Sequence, residues 1–166
     1  MRARLRKFVL TAHVSSSVGW LGAVVVYLIL ATASLTSHDL QTAQAGYIVL
    51  HRVACSVIVP LSLAALLTGL VQSLGTEWGL FRHYWILVKS LLSIGAVSVL
   101  LLHLPTVSRV SRMAAQTTLS AGDFTTLRLQ LVVHAAGGLL VLLTATALSV
   151  YKPWGRTSYG RRTTAT

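Results

Sequence analysis

Apolar residues fill four long stretches of the chain, and short polar segments separate them. The stretches cover residues 8–35, 47–71, 84–104 and 127–151. Each reaches the roughly 20 residues that a helix needs to cross the hydrocarbon core of a membrane. Membrane-spanning strands would instead appear as alternating segments of about ten residues, and the sequence has none. The pattern predicts an all-α fold, with four transmembrane helices in one integral membrane domain (residues 1–166) that ends in a basic tail over 152–166.

The connections between the stretches predict the topology. The segments 37–45 and 74–83 are short, which favours an up-down bundle whose sequential helices pack together. The third connection, 105–126, is longer, and a short amphipathic helix on the outer surface is one interpretation of it. Pro60 lies within the second stretch, so we expect a kink there. The first stretch is much longer than the apolar core of a signal peptide, about 7–15 residues, and we expect it to remain uncleaved.

Composition and charge agree with a membrane protein and predict its orientation. The chain is 54% hydrophobic and 10% charged, whereas soluble domains carry about 25% charged residues. The net charge of +11 comes from residues that flank the spans, so nucleic-acid binding is not expected. By the positive-inside rule, both termini are predicted to be cytoplasmic. The cytoplasmic side then carries Arg2, Arg4, Arg6, Lys7, Arg82, Lys152, Arg156, Arg161 and Arg162, and the outer side Arg52, Arg109, Arg112 and Arg128.

Two ionisable side chains are predicted to lie at the same depth in the inner half of the bundle. His13 and Lys89 each fall about five residues into a span that starts at the inner face, roughly 7–8 Å deep at 1.5 Å per residue. A charge buried there costs roughly 2.5–3.5 kcal/mol, so such residues usually have a partner, a ligand or a water-filled pocket. Thr68 and Thr146 fall near the same layer, and Ser16, Ser17 and Ser93 are close to it.

No carboxylate accompanies Lys89 at that depth. The acidic residues of the chain, Asp39, Glu77 and Asp123, all fall in predicted loops. Unless Glu77 bends inward, the counter-ion of Lys89 is expected to be a lipid phosphate or an anionic ligand, and a porphyrin propionate suits it chemically. The inner layer therefore predicts an anion-binding site.

Three further histidines are predicted at the outer level: His51, His103 and His134. His51 and His134 differ by about 2–3 Å in depth, and a planar cofactor between the second and fourth helices could take one imidazole from each, as haem iron does. Three imidazoles at one level could alternatively bind copper or zinc. A third interpretation is a cofactor-free transporter or scaffold, in which His13 and Lys89 line a polar path.

Short motifs in this chain resemble those of HemJ-type protoporphyrinogen IX oxidases and the CopD membrane domain. They are His13-x6-Trp20-x-Gly22 in the first span, Trp85-x3-Lys89 in the third and Lys152-Pro153 after the fourth. The chain looks most similar to an uncharacterised family of bacterial, often actinobacterial, membrane proteins. That likeness rests on Leu10-Thr11-Ala12-His13, Leu70-Val71-Gln72-Ser73-Leu74-Gly75-Thr76 and Phe81-Arg82-His83-Tyr84-Trp85.

The resemblance implies haem b in a four-helix bundle of the bacterial inner membrane. His13 would be an axial ligand, Lys89 would hold a propionate or substrate carboxylate, and Trp20 and Trp85 would contact the cofactor. Because the second span departs from the oxidase pattern around Arg52, the resemblance supports haem-based electron transfer or oxidoreduction more than the oxidase activity itself. The expected partners are membrane lipid and a quinone or porphyrin, and the sequence leaves a homo-oligomer open.

Overall fold

A computed structural model describes residues 3–75, 84–116 and 122–151 of the chain, and these residues form four long helices. Helix α1 covers Ala3–Thr36, α2 covers Leu40–Gly75, α3 covers Tyr84–Ala115 and α4 covers Gly122–Tyr151. The described residues contain no strand. All four helices are long and apolar enough to cross a membrane. This confirms the prediction of an all-helical, multi-pass membrane protein.

Each helix packs chiefly against two others, which closes the bundle into a ring. Helices α1 and α3 each pack against both α2 and α4. Near the start of α1, His13 bonds to Ala65 in the second half of α2. Near the end of α1, Ser34 lies so close to Gly46 of α2 that a side chain on Gly46 would overlap it.

The core consists of side chains that repeat every three or four residues on each helix, as expected for one face of a helix. On α1 they are Trp20, Val24, Tyr27 and Ala31. The neighbouring helices contribute Tyr47, Leu50, Ala54, Ile58, Val97, Val107, Val110, Leu131, Ala135 and Leu142. Many large apolar side chains face outward instead, including Val18, Leu102 and Leu140. Such a surface suits contact with lipid rather than water.

Helix α2 begins earlier than the apolar pattern indicates. The sequence predicts a polar loop over 37–45, but the helix starts at Leu40. Asp39 is its N-cap, because the Asp39 carboxylate accepts hydrogen bonds from the Thr42 hydroxyl and from the Thr42 backbone N–H at 2.9 Å. These hydrogen bonds hold the pKa of Asp39 below its usual value.

A π-helical turn interrupts α2 directly before Pro60. It covers Ala54–Ile58, and the N–H of Val59 bonds to the carbonyl of Ala54, five residues earlier. A proline ring collides with the carbonyl four residues before it in a regular helix. A widened turn is one of the known ways to accommodate a break in the helical hydrogen-bond ladder. The disturbance predicted from Pro60 is therefore present as a π turn.

Helix α3 continues where the sequence predicted a loop. The segment from Pro105 to Ala115 is the last part of α3, and Pro105 lies inside this one helix. The separate surface helix suggested for this segment is therefore not formed as far as Ala115. Val107, Val110 and Ala114 are buried in this extension, and α3 as a whole packs against the first half of α2. Their burial explains why the helix passes through a proline, since tertiary packing can outweigh an unfavourable residue.

Candidate functional site

A polar cavity of about 600 Å³ lies where α1 begins, α2 ends and α3 begins. His13 of α1 and Lys89 of α3 both line it. The two residues that the sequence placed at one depth therefore share one cavity. Its other polar lining residues are Arg6, Gln72, Ser73, Trp85, Ser90 and Ser93, and its apolar side is formed by Leu10, Ala65, Leu66, Leu70 and Ile86.

The His13 imidazole is fixed by hydrogen bonds to α2. Its Nδ1 lies 3.0 Å from the backbone oxygen of Ala65 and 3.2 Å from the hydroxyl oxygen of Thr68. A backbone carbonyl can only accept a hydrogen bond, so Nδ1 carries the proton. The Thr68 hydroxyl donates its own proton to the carbonyl of Ala64 at 2.5 Å. In the neutral ring, Nε2 is then left with the free lone pair, which is the arrangement found in histidines that bind metal.

Gly69 makes room for this ring. A Cβ placed on Gly69 would lie 3.0 Å from His13 Cε1 and 3.4 Å from His13 Nδ1. At these distances the imidazole would have to shift by a few tenths of an ångström, which would strain its hydrogen bonds to Ala65 and Thr68. Glycine at 69 therefore allows His13 to sit against the α2 backbone.

The cavity is positively charged. Lys89 and Arg6 both line it, and no acidic residue is among its described lining residues. Asp39 belongs to the start of α2, whereas the cavity lies at the end of that helix. Glu77, the alternative counter-ion, and the side chain of Asp123 lie outside the part of the chain that the structure describes. The described surroundings of Lys89 thus favour an anionic ligand.

The tryptophans expected to contact the cofactor, and the other residues predicted for the inner layer, are divided between different surroundings. Trp85 lines the polar cavity beside Lys89, but Trp20 lines a second, apolar cavity further along α1. Ser16 bonds back to the carbonyl of Ala12 at 2.7 Å, within α1 itself. Thr146 is exposed on α4 and bonds to Leu142 of its own helix. Matched depth thus brought Thr68 and Ser93 to the site, because Thr68 bonds to His13 and Ser93 lines the cavity. It did not bring Ser16 or Thr146 there.

The outer histidines form a pair different from the one that the sequence suggested. The rings of His103 and His134 are stacked, with their centres 3.9 Å apart and their planes inclined by 11°. That spacing leaves no room for a macrocycle between them. His51 does not line the cavity that His103 and His134 share, and its Nδ1 lies 3.8 Å from the Cys55 sulfur on its own helix.

The copper or zinc interpretation depended on three imidazoles at one level. Within residues 3–75, 84–116 and 122–151, no group of three or more His, Cys, Asp or Glu side chains is placed to hold a metal ion. His51, His103 and His134 therefore do not form the three-ligand group that this interpretation needs.

Two contributions to polar sites were missed in the sequence. Arg6 was counted only as a terminal charge, although it lies two helical turns before His13 and so on the same face of α1. Arg128 was counted only as an outer charge. Its Nε donates to the Tyr47 hydroxyl at 2.5 Å, and its Nη2 donates to the backbone oxygens of Ser34 at 2.9 Å and Leu35 at 3.2 Å. It thereby joins α1, α2 and α4 at the opposite end of the bundle.

Comparison of the chain with protein-family models, with curated proteins and with solved structures gives no match.

Proposed function

We propose that this chain binds haem b in the polar cavity and serves electron transfer or another oxidoreduction in the bacterial inner membrane. The main support for the proposal is the hydrogen bond from His13 Nδ1 to the Ala65 carbonyl, which leaves His13 Nε2 available as an iron ligand. Neutral imidazole is a common axial ligand of haem iron. The resemblance of the span-one and span-three motifs to HemJ-type proteins supports the same assignment.

Charge and size of the cavity fit this cofactor. Haem carries two propionates, and Lys89 and Arg6 supply two cations on the cavity wall. The volume of about 600 Å³ lies within the roughly 300–1,000 Å³ that is usual for cofactor sites. His13 is the one imidazole among the described residues that line this cavity, so the cavity itself offers one axial ligand. When bound, haem would supply one-electron redox chemistry.

For the arrangement in the membrane, we propose an up-down bundle with both termini in the cytoplasm. The contacts support it, because the start of α1 meets the end of α2 and the end of α1 meets the start of α2. The excess of basic residues on the proposed inner side supports the orientation. The polar cavity would then lie in the cytoplasmic half of the membrane. A HemJ-like oxidase, with Lys89 pairing with a carboxylate of protoporphyrinogen, is the narrower form of this proposal.

The experiment that tests the proposal is an absorption measurement on detergent-purified protein from cells supplied with haem. We expect stoichiometric haem b in a pyridine haemochrome assay, together with a reduced-minus-oxidised difference spectrum. A colourless protein from such cells would contradict the haem assignment.

A second candidate function is favoured by the charge of the cavity. Arg6 and Lys89 without a described acidic neighbour would equally hold the phosphate of a lipid or the anionic part of a transported solute. In that case the protein is a cofactor-free transporter or scaffold, and a colourless preparation that retains phospholipid would support it.

Replacing Lys89 by methionine is expected to leave the protein inserted but to weaken its hold on haem. A hydrogen bond to a charged group contributes about 1.5–3 kcal/mol, so the dissociation constant should rise about tenfold or more. Titration of the apoprotein with haemin, followed at the Soret band, measures this change. The matched control is Arg109→Met, since Arg109 is exposed on α3 and does not line the cavity. Equal affinities for both variants would show that Lys89 does not contact the propionates.

A further inference from the structure

A second cavity, of about 610 Å³, lies in the middle of the bundle. All four helices line it, and its wall is made mostly of aliphatic side chains with Trp20 among them. Among its described lining residues, the ionisable side chains are those of Tyr27, His103 and His134. That lining includes no lysine or arginine. The cavity therefore suits an uncharged, largely apolar molecule, and it lacks the cations that haem propionates need.

Two polar atoms of the lining residues have no hydrogen-bond partner within the described residues. They are the Tyr27 hydroxyl and His103 Nε2, and both atoms are buried. Tyr27 is only 6% exposed, so the protein itself shields its hydroxyl from solvent. Leaving such a group unpaired is unfavourable, because it loses its hydrogen bonds to water and gains none in return. A bound molecule that accepts hydrogen bonds would remove this cost.

His134 holds the imidazole pair in place. Its Nδ1 donates to the backbone oxygen of Gln130 at 2.8 Å, and its ring stacks on His103. The stacking fixes the plane of the His103 ring at one part of the cavity wall. A ligand carbonyl that accepts a hydrogen bond from His103 Nε2 would therefore be held in a defined direction.

Three glycines widen the cavity without any close helix contact that would require them. A Cβ on Gly95, Gly137 or Gly138 would meet no atom within 4 Å, and all three residues line the cavity. Gly95 and Gly137 are also exposed, so the cavity is open on this side. The space in front of them is thus large enough for added carbon atoms. A flat ring could lie against these bare stretches of backbone.

We propose that this cavity binds the ring of a membrane quinone, with Tyr27 and His103 as donors to its carbonyl oxygens. A lipid acyl chain would fill the apolar volume but would leave both polar atoms unpaired. A quinone fits both properties, because it is uncharged and apolar and carries two hydrogen-bond acceptors. Its role as an electron partner rests on the proposed function above, whereas its binding here does not depend on haem.

The test is the binding of menadione, a short naphthoquinone, to haem-free protein in detergent, measured by calorimetry. 2-Methylnaphthalene serves as the reference because it has the same ring and methyl group but no carbonyl. We expect menadione to bind at least tenfold more tightly than the hydrocarbon. Tyr27→Phe and His103→Phe each keep an aromatic ring and remove the proposed donor, the hydroxyl in one case and both ring nitrogens in the other. Each should weaken menadione binding several-fold and leave binding of the hydrocarbon unchanged.

A cavity-filling variant tests the location of the site. Gly95→Leu would place its side chain in the empty volume and should abolish menadione binding. Gly22→Leu is the matched control, since Gly22 is exposed, also faces open space and does not line the cavity. Equal affinity for the two compounds, or full menadione binding by Gly95→Leu, would overturn the proposal. If the protein is colourless but binds menadione, the haem proposal is refuted and the quinone proposal stands. If the protein holds haem but does not bind menadione, the quinone proposal is refuted and the haem proposal stands.

Discussion

Replacing His13 by alanine is expected to abolish the Soret band of the purified protein, or to shift it if another ligand takes the position. The expectation follows from the hydrogen bond of His13 Nδ1 to the Ala65 carbonyl, which orients the ring and leaves Nε2 for iron. His13 is the one imidazole among the described residues lining the cavity, so no other histidine of that described lining can replace it. The measurement is the absorption spectrum of the variant, with haem determined as pyridine haemochrome.

The matched control is His51→Ala, because His51 contacts Cys55 on its own helix and lines neither of the two cavities. Its Soret band should equal that of the unchanged protein. A steric variant, Gly69→Val, should lower haem content although it removes no ligand, since even a Cβ there lies 3.0 Å from the His13 ring. An unchanged spectrum for His13→Ala would refute the ligand assignment, and loss of haem from His51→Ala would move the site to the outer end.

Hydrophobic patterning could predict the four helices because membrane-spanning length leaves a clear signal. It could not predict where the helices end, because helix ends depend on hydrogen bonds and packing outside the apolar stretches. Asp39 caps α2 several residues before its apolar stretch begins. The α3 extension beyond Pro105 is held by the burial of Val107 and Val110, which only the folded bundle reveals.

Depth along a helix is also predictable, but rotation about its axis is not. His13 and Lys89 were predicted at one level, and in the structure both line one cavity. The same reasoning paired His51 with His134, whereas the fold stacks His134 on His103. Each residue turns the helix by about 100°, so a small error in rotation decides which residues face each other. The apolar cavity around Tyr27 could not be predicted from the sequence for the same reason, since its walls come from four helices.

The largest loss of stability is expected from removal of Arg128, whose side chain clamps three helices together. Its guanidinium bonds to the Tyr47 hydroxyl and to the carbonyls of Ser34 and Leu35, which lie in the last turn of α1. Helix-end carbonyls have no partner within their own helix. The guanidinium carbon also lies 5.2 Å from the centre of the Tyr47 ring, within the range of a cation–π contact. One side chain thus holds the ends of three helices together.

Replacing Arg128 by methionine is therefore expected to lower the free energy of unfolding by about 3 kcal/mol, since each hydrogen bond to a charged group contributes about 1.5–3 kcal/mol and the losses overlap. The apparent Tm in detergent should fall by roughly 10 °C. Arg112→Met is the control, because Arg112 is exposed and bonds only to Ser108 of its own helix, at 2.7 Å, among the described contacts. It should change stability by no more than about 0.5 kcal/mol. If both variants had the same Tm, the Arg128 clamp would contribute no more than a surface contact. The packing of Tyr47 and Leu50 would then hold this end of the bundle without it.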